Sequence, residues 1–472
     1  MPGAANEVPA SKGPAAIARP FYPPHVKPAA KPLRFPFNLA KLLGNNLAIV
    51  PRQAYCEPIV IAPGPPRMAF ITGAESVKTL LLTRPTEFPK GGLQVEVLKP
   101  IFGNAMISAE GRDWRWQRGA AAPLFRHDEL LRYGPIMSDA AEAAVAQWRA
   151  AAPGTVHHIH RDMMRAAFHV ISHTMLVGGA EDMFQAIARG HADYYAGANW
   201  WLTYTLLGLP HWLPPPGGQS MRAHERRLRD AVAGLVQARR GAAADGDDLL
   251  VRMLRASDAE TGQSMSDELL VDNIVSFLMA GYDTTAFALT WTLYLISQSP
   301  EWEARMLDEI ERVAGSGPIT SAHVEHLETV QQVLNESLRL FPTAPIIVRD
   351  IVDDVELDGV TVPAGTIGII PIYAIHRHRN YWDDPDRFDP DRFAPNGRAK
   401  PTRFQFMPFG AGPRICIGAA FAMIEATIMV ATFVRAARFD LCPDFDPRPS
   451  ARLFLLPENG MPMRVTLRQS AG

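Results

Sequence analysis

The chain has 472 residues, a formal net charge of −2, 47% hydrophobic residues and 20% charged ones. Near-neutral charge gives no global attraction to nucleic acid or to an anionic membrane. Three scattered cysteines, Cys56, Cys416 and Cys442, exclude a disulfide framework and fit a reducing cytoplasm.

Residues 1–34 are dense in Pro and Ala and carry Lys12, Arg19, Lys27, Lys31 and Arg34 against Glu7. They offer too little apolar surface to offset ordering entropy, which predicts a disordered arm ahead of one large domain over residues 35–472. A transit peptide is the rival reading, weakened by prolines that spoil an amphipathic helix. Beyond Phe35 no Gly/Ser linker, 20–50-residue repeat or heptad pattern divides the chain. The longest apolar run, Ala286–Ile296, is too short to span a bilayer, so no transmembrane anchor is expected.

In Asp113-Trp114-Arg115-Trp116-Gln117-Arg118, Trp114 and Arg118 are four apart, and on a helix they would meet a carboxylate from one side. Asn199–Pro216 is rich in Trp and Leu beside a proline stop. It reads either as a lid over a pocket, able to touch a membrane surface, or as side chains packed inward.

From Ser266 a helix of about 32 residues, about 48 Å long, is predicted up to Pro300. Ser266 is its N-cap, and Asp267 and Glu268 complement the dipole. Its middle holds Ala280-Gly281-Tyr282-Asp283-Thr284-Thr285, unfavourable by propensity. Gly281 would let a flat group lie against bare backbone. The Thr284 hydroxyl can compete for a carbonyl one turn back and open the ladder, and Asp283 is titratable.

Residues 327–341 have apolar positions at helical spacing and place Glu336 and Arg339 on one face as a pair. Ile346–Pro371, with a turn at Asp358-Gly359, reads as strand-rich and contains Arg349. Asp-Pro-Asp-Arg-Phe then occurs twice in succession over residues 384–393, and either Arg387 or Arg392 could complete a Glu–Arg–Arg triad with Glu336 and Arg339.

Residues 409–418, Phe-Gly-Ala-Gly-Pro-Arg-Ile-Cys-Ile-Gly, are the most informative run. Cys416 sits in a glycine-rich turn feeding an apolar helix over 419–435, whose N–H groups and dipole favour an ionised sulfur. Phe409 can cover the sulfur, and Arg414 can meet an anion. The plain alternative is a packing thiol in a tight turn.

The spacing F-x-x-G-x-R-x-C-x-G resembles the signature of the cytochrome P450 (haem-thiolate monooxygenase) family, and Ala280–Thr285 resembles its A-G-x-[DE]-T-[TS] pattern. Tyr282 stands where many relatives have histidine. The resemblance implies a mainly α fold with small β-sheets near the N-terminal third, in a single large triangular domain. It implies haem b (iron protoporphyrin IX), with Cys416 as axial iron ligand and Trp114, Arg118, Arg349, Arg414, Phe409 and Gly281 around the cofactor. Thr284 would steady dioxygen and its water, and Asp283 would relay protons. Glu336 and Arg339 match the family's E-x-x-R motif. The resemblance favours Arg392 as the third member, although Asp391 replaces the usual Glu.

By position it assigns pocket wall to Gly92–Met106, Thr343–Val348 and Leu453–Asn459, implying a small, mostly apolar substrate. The chain resembles soluble bacterial members. No flavin or iron–sulfur module is apparent, so electrons are expected from a separate ferredoxin and its NAD(P)H-dependent reductase. Arg112, Arg115 and Arg126 are the expected basic patch for an acidic ferredoxin. A peroxide-driven or rearranging haem-thiolate enzyme and a non-enzymatic haem sensor are the alternatives. The Asp283–Thr284 pair argues against both.

Overall fold

The computed structural model describes residues 20–33, 39–175, 200, 204–205, 209, 216, 218–241, 249–258, 261–397 and 400–469. The longer helices among them are α1 (Gly92–Phe102), α2 (Gly111–Ala121), α3 (Gly134–Ala150), α4 (Ile159–Met175), α5 (Gly218–Gly241), α6 (Asp267–Ser297), α7 (Pro300–Ala314), α8 (Glu328–Leu340) and α9 (Ala419–Ala436).

Helix α6 is the axis around which the rest is laid. It runs unbroken for 31 residues, and its N-cap Ser266 accepts from Leu269 N at 3.2 Å. From Leu270 onward it is buried on nearly every side, as befits a helix that is apolar all round. Helix α4 packs along it, and a Cβ on Gly281 would lie 2.6 Å from Ile171 Cδ1 of α4. Ten residues further along, Trp291 of α6 stacks on Phe341 beyond α8, with ring centroids 4.0 Å apart and planes 4° from parallel. Such a pair adds about 0.5–1.5 kcal/mol beyond area burial.

Helix α9 passes the length and hydropathy test for a membrane span, yet 67% of it is buried inside the protein. Trp148 of α3 lies edge-on to Phe433 of α9 at 5.0 Å. Core packing accounts for its apolarity.

The strands are β1 (Ile59–Ala62), β2 (Met68–Ile71), β3 (Val156–His158), β4 (Ile347–Ile351), β5 (Val355–Leu357), β6 (Val360–Val362), β7 (Thr366–Ile370), β8 (Ala437–Leu441), β9 (Arg448–Ala451), β10 (Leu455–Glu458) and β11 (Pro462–Leu467). The largest sheet runs β1-β2-β7-β4. Its β2–β7 ladder is parallel, Met68 facing Ile367, and β4 is antiparallel to β7, Ile347 facing Ile370. The sheets therefore draw on the end of the chain as much as on its start, unlike the expected concentration in the N-terminal third. The β5–β6 hairpin turns at Asp358 and Gly359, with φ of 44° and 75°, the left-handed pair a two-residue hairpin favours.

The expected disordered arm needs correction. Residues 1–19 and 34 lie outside the described residues, but 20–33 lie on the domain. Val26 and Ala29 are buried, Phe21 meets Tyr294 edge-on at 6.2 Å, and Val26 N donates to the Tyr373 hydroxyl at 3.0 Å. Five prolines pre-set an extended path, so ordering it costs less entropy than composition alone suggests.

Candidate functional site

The cysteine turn is tied at both ends. Cys416 N donates to Phe409 O at 2.9 Å and Ile415 N to Gly412 O at 3.1 Å. Gly410 and Gly412 have φ of 74° and 75°. A Cβ on Gly412 would lie 1.7 Å from Leu81 O, so this glycine admits a neighbouring turn of the chain.

Cys416 is surface-accessible, yet enough protein surrounds the sulfur that desolvation raises its pKa. The Gly418 N–H and the Arg118 charge oppose that rise, and burial outweighs them. The sequence argument for an ionised sulfur is therefore incomplete: the turn alone leaves a thiol, and a bound metal would complete the ionisation.

Beside the turn, α2 and its preceding loop gather cations. Arg414 lies over the Trp114 ring, 4.4 Å from its centroid, pairs with Glu110 and donates to Ala109 O at 3.1 Å. Arg118 is 5.9 Å from the same ring centroid. Arg349, at the β4 edge, is buried and donates to Val348 O at 2.7 Å. Burial, then the Arg414 charge, pulls its pKa down to about 10.

Lys90 completes the group, a residue the sequence analysis missed. It pairs across an isolated bridge with Arg349 and donates through Nζ to the carbonyls of Ile107 and Ala109. Burial first, and the Arg414 charge next, pull its pKa down to about 7. Only its place beside Arg349 reveals it, since Phe-Pro-Lys-Gly-Gly carries no motif. Lys90, Arg349 and Arg414 thus crowd around one carboxylate, Glu110, with Arg118 close to Arg414 and to Cys416. They fit a dianionic group beside the cysteine, such as the two carboxylates of a haem, which would relieve their repulsion.

On α6, Asp283 is fully buried and Thr284 Oγ1 donates to Ala280 O at 2.6 Å. The bond one turn back is present, but the helix is continuous through it, so the expected opening is not realised as a break. On the side of Gly281 where a Cβ would project, the space is taken by Ile171 of α4. The adjacent Thr285 donates to Glu425 Oε2 of α9 at 3.3 Å. Burial raises the Glu425 pKa well above the usual carboxylate range, so a neutral acid joins α6 to the helix that follows the cysteine.

Two of the wall segments adjoin, Leu455 N donating to Thr343 O at 2.9 Å, and the third is tied to β4 just beyond Val348, where Gly92 N donates to Asp350 Oδ2 at 2.7 Å. A Cβ on Gly410 would be 3.6 Å from Ile347 Cδ1, which brings the start of β4 against the cysteine turn. Asn199–Pro216 lies largely outside the described residues.

Glu336 and Arg339 are both fully buried and bidentate, at 2.6 and 2.7 Å. Of the two repeated arginines, Arg392 approaches Glu336, its Nε 3.5 Å from Oε1, while Arg387 offers its carbonyl to Arg339 at 3.0 Å. Asp391 instead pairs with the exposed Arg305 at 3.0 Å. Arg339 also donates to His376 O at 2.8 Å, and the His376 Nε2 accepts from Met407 N at 2.9 Å. Burial holds His376 neutral, its pKa down at about 3. The ion cluster is thereby connected to the approach of the cysteine turn.

On the surface beside α2, Arg112, Arg115 and Arg126 are all exposed, and Arg112 pairs with Asp258 at 3.2 Å.

A family model described as Cytochrome P450 matches residues 38–464. Among curated proteins, the chain is 31% identical to cyclooctat-9-en-7-ol 5-monooxygenase of Streptomyces melanosporofaciens, covering 85% of this chain and 88% of that protein. It is likewise 31% identical to pentalenene oxygenase of Streptomyces avermitilis, covering 85% and 89%. Cytokinin hydroxylase of Arabidopsis thaliana is 28% identical, over 84% and 78%. The crystal structure of the cytochrome P450DA heme domain superposes with a TM-score of 0.81 at 24% identity, covering 94% of this chain and 98% of that one. That last likeness concerns the fold.

Proposed function

The chain belongs to the cytochrome P450 family and is a haem-dependent monooxygenase, and from that premise we propose its ligands, its partners and the work of its residues. Haem b is held by Cys416 through sulfur and by Arg118, Arg349, Arg414 and Lys90 through its carboxylates, with Trp114 packed against Arg414. The bound group supplies dioxygen activation and C–H oxidation.

The protein's part is position and proton control. Thr284 presents a hydroxyl anchored on Ala280 O. Turned from that carbonyl, it would hold a water in the pocket and hand on a proton that Asp283 would resupply. The gathered cations hold the carboxylates by charge. The Glu336–Arg339–Arg392 cluster keeps the cysteine turn in register through His376 and Met407.

The substrate is a small, mostly apolar molecule of alkene or alkenol type, meeting Gly92–Met106, Thr343–Val348 and Leu453–Asn459. Two relatives with names of that chemistry, pentalenene oxygenase and cyclooctat-9-en-7-ol 5-monooxygenase, support this reading. Electrons come from a ferredoxin and its NAD(P)H-dependent reductase, docking by the exposed Arg115 and Arg126.

The observation that carries the proposal is an exposed cysteine beside a cluster of cations that outnumber their one carboxylate partner, Glu110. It is tested by the carbon monoxide difference spectrum of the reduced protein. A red-shifted Soret band that Cys416→Ser abolishes is expected, and a spectrum indifferent to that substitution would overturn the assignment. Turnover with a ferredoxin system against peroxide alone separates the oxygenase from a peroxide-driven enzyme.

A further inference from the structure

The two ends of α1, in the wall segment Gly92–Met106, are held by carboxylates from different elements. At its start Gly92 N is held by Asp350 of β4. At its end the helix stops at Gly103, φ 55°, where a Cβ would lie 2.3 Å from Asp272 Oδ2. Glycine is required twice there, for the left-handed turn and for the approach of this carboxylate.

Asp272, on α6, is 1% exposed. Its Oδ2 accepts from Asn104 N at 2.7 Å, and its Oδ1 pairs with Arg229 of α5. The next residue extends the contact: Asn273 Oδ1 accepts from Met106 N at 3.0 Å and its Nδ2 donates to Gln117 Oε1 of α2 at 2.8 Å. Gln117 in turn donates to Asn104 O at 3.1 Å.

We propose that Asp272 is a positioning residue for the oxygenation reaction: it fixes the end of the α1 wall and, through Arg229, makes that wall depend on where α5 lies. This rests on the reading of Gly92–Met106 as pocket wall. A carboxylate this buried is not left without its cation. A movement of α5 that withdraws Arg229 obliges Asp272 to turn toward water, and in turning it gives up the Asn104 N–H. With Arg229 in place the same carboxylate holds both elements. Asn273 and Gln117 then carry the wall's position to α2, the helix of Trp114 and Arg118. The wall and the cofactor clamp are thereby parts of one hydrogen-bonded unit.

The test is amide hydrogen exchange on the haem-loaded protein, with α8 as internal control. Arg229→Gln should speed exchange at Asn104–Ser108 by about fivefold or more, Arg229→Lys should return it toward the original rate, and α8 should not change. Asp272→Asn, which keeps an acceptor for Asn104 but no charge for Arg229, should loosen both α5 and Asn104–Ser108. Unchanged exchange at Asn104–Ser108 in Arg229→Gln would overturn the coupling.

A second measurement separates this from the pocket assignment. Association of imidazole with the haem should be little altered in Arg229→Gln, while that of the bulkier 1-octylimidazole should rise. Faster exchange without a change in that ratio would overturn the role of α1 as pocket wall, and with it the functional half of the proposal.

Discussion

Replacing Glu336 with alanine removes the anion from a cluster with almost no access to water. Arg339 is fully buried and Arg392 is 7% exposed, so two guanidinium groups lose their counter-charge inside the protein. Breaking a buried pair in this way costs about 3–5 kcal/mol. The Asp389 N–H, which donates to Glu336 Oε1 at 2.8 Å, is left without its acceptor, adding about 1–3 kcal/mol. Together these approach the whole stability of an ordinary protein, about 5–15 kcal/mol.

Damage should concentrate near Met407, because Arg339 is bonded to His376 and His376 to Met407, two residues before Phe409. Glu336→Ala should therefore yield protein that binds little haem, read as haem per polypeptide after extraction. Its denaturation midpoint should fall by an amount equivalent to several kcal/mol. Glu336→Gln, which retains an acceptor, should fall between. Soluble Glu336→Ala with full haem content and a midpoint within about 1 kcal/mol of the parent would refute the reasoning.

Gly412→Ala should fail similarly, since the new methyl meets the Leu81 carbonyl and the left-handed backbone alone costs about 1–2 kcal/mol. Normal haem content would contradict the packing argument. Thr284→Ala should keep the haem and its spectrum while diverting reducing equivalents to hydrogen peroxide, measured as product formed per NAD(P)H consumed; unchanged coupling would count against the relay. Lys90 predicts a pH dependence for the haem-free protein. With a folded-state pKa lowered from 10.5 to about 7, the unfolded chain holds more protons across that interval, so stability should rise as pH climbs through it. Lys90→Met should flatten this slope in thermal melts, and identical slopes would refute the assignment.

Motifs were legible where chemistry needs a fixed spacing within one segment. The cysteine turn, the Glu336–Arg339 pair and the N-cap at Ser266 all depend on neighbours a few residues away, and periodicity placed α6, α8 and α9 to within a residue or two at each end. Lys90, Asp272 and Glu425 were not legible, because each acquires its setting from distant chain: Arg349 across an isolated bridge, Arg229 on another helix, Thr285 on α6. The ladder between β2 and β7 joins residues some three hundred apart, beyond the reach of any local pattern. Composition judged residues 20–33 by their average, while their order depends on particular contacts of Phe21, Val26 and Ala29.

Those contacts bear on how this protein can be handled. Phe388 N donates to Phe21 O at 3.0 Å, and the Tyr22 hydroxyl donates to Asp384 at 2.8 Å. The strip is thus fastened to the stretch that supplies Arg392. Trimming the gene to begin at Leu33, as the look of the leader invites, would strip a brace from behind the ion cluster and expose the Tyr373 hydroxyl. A purification tag or a genetically fused reductase belongs upstream of Pro20, where the brace remains whole.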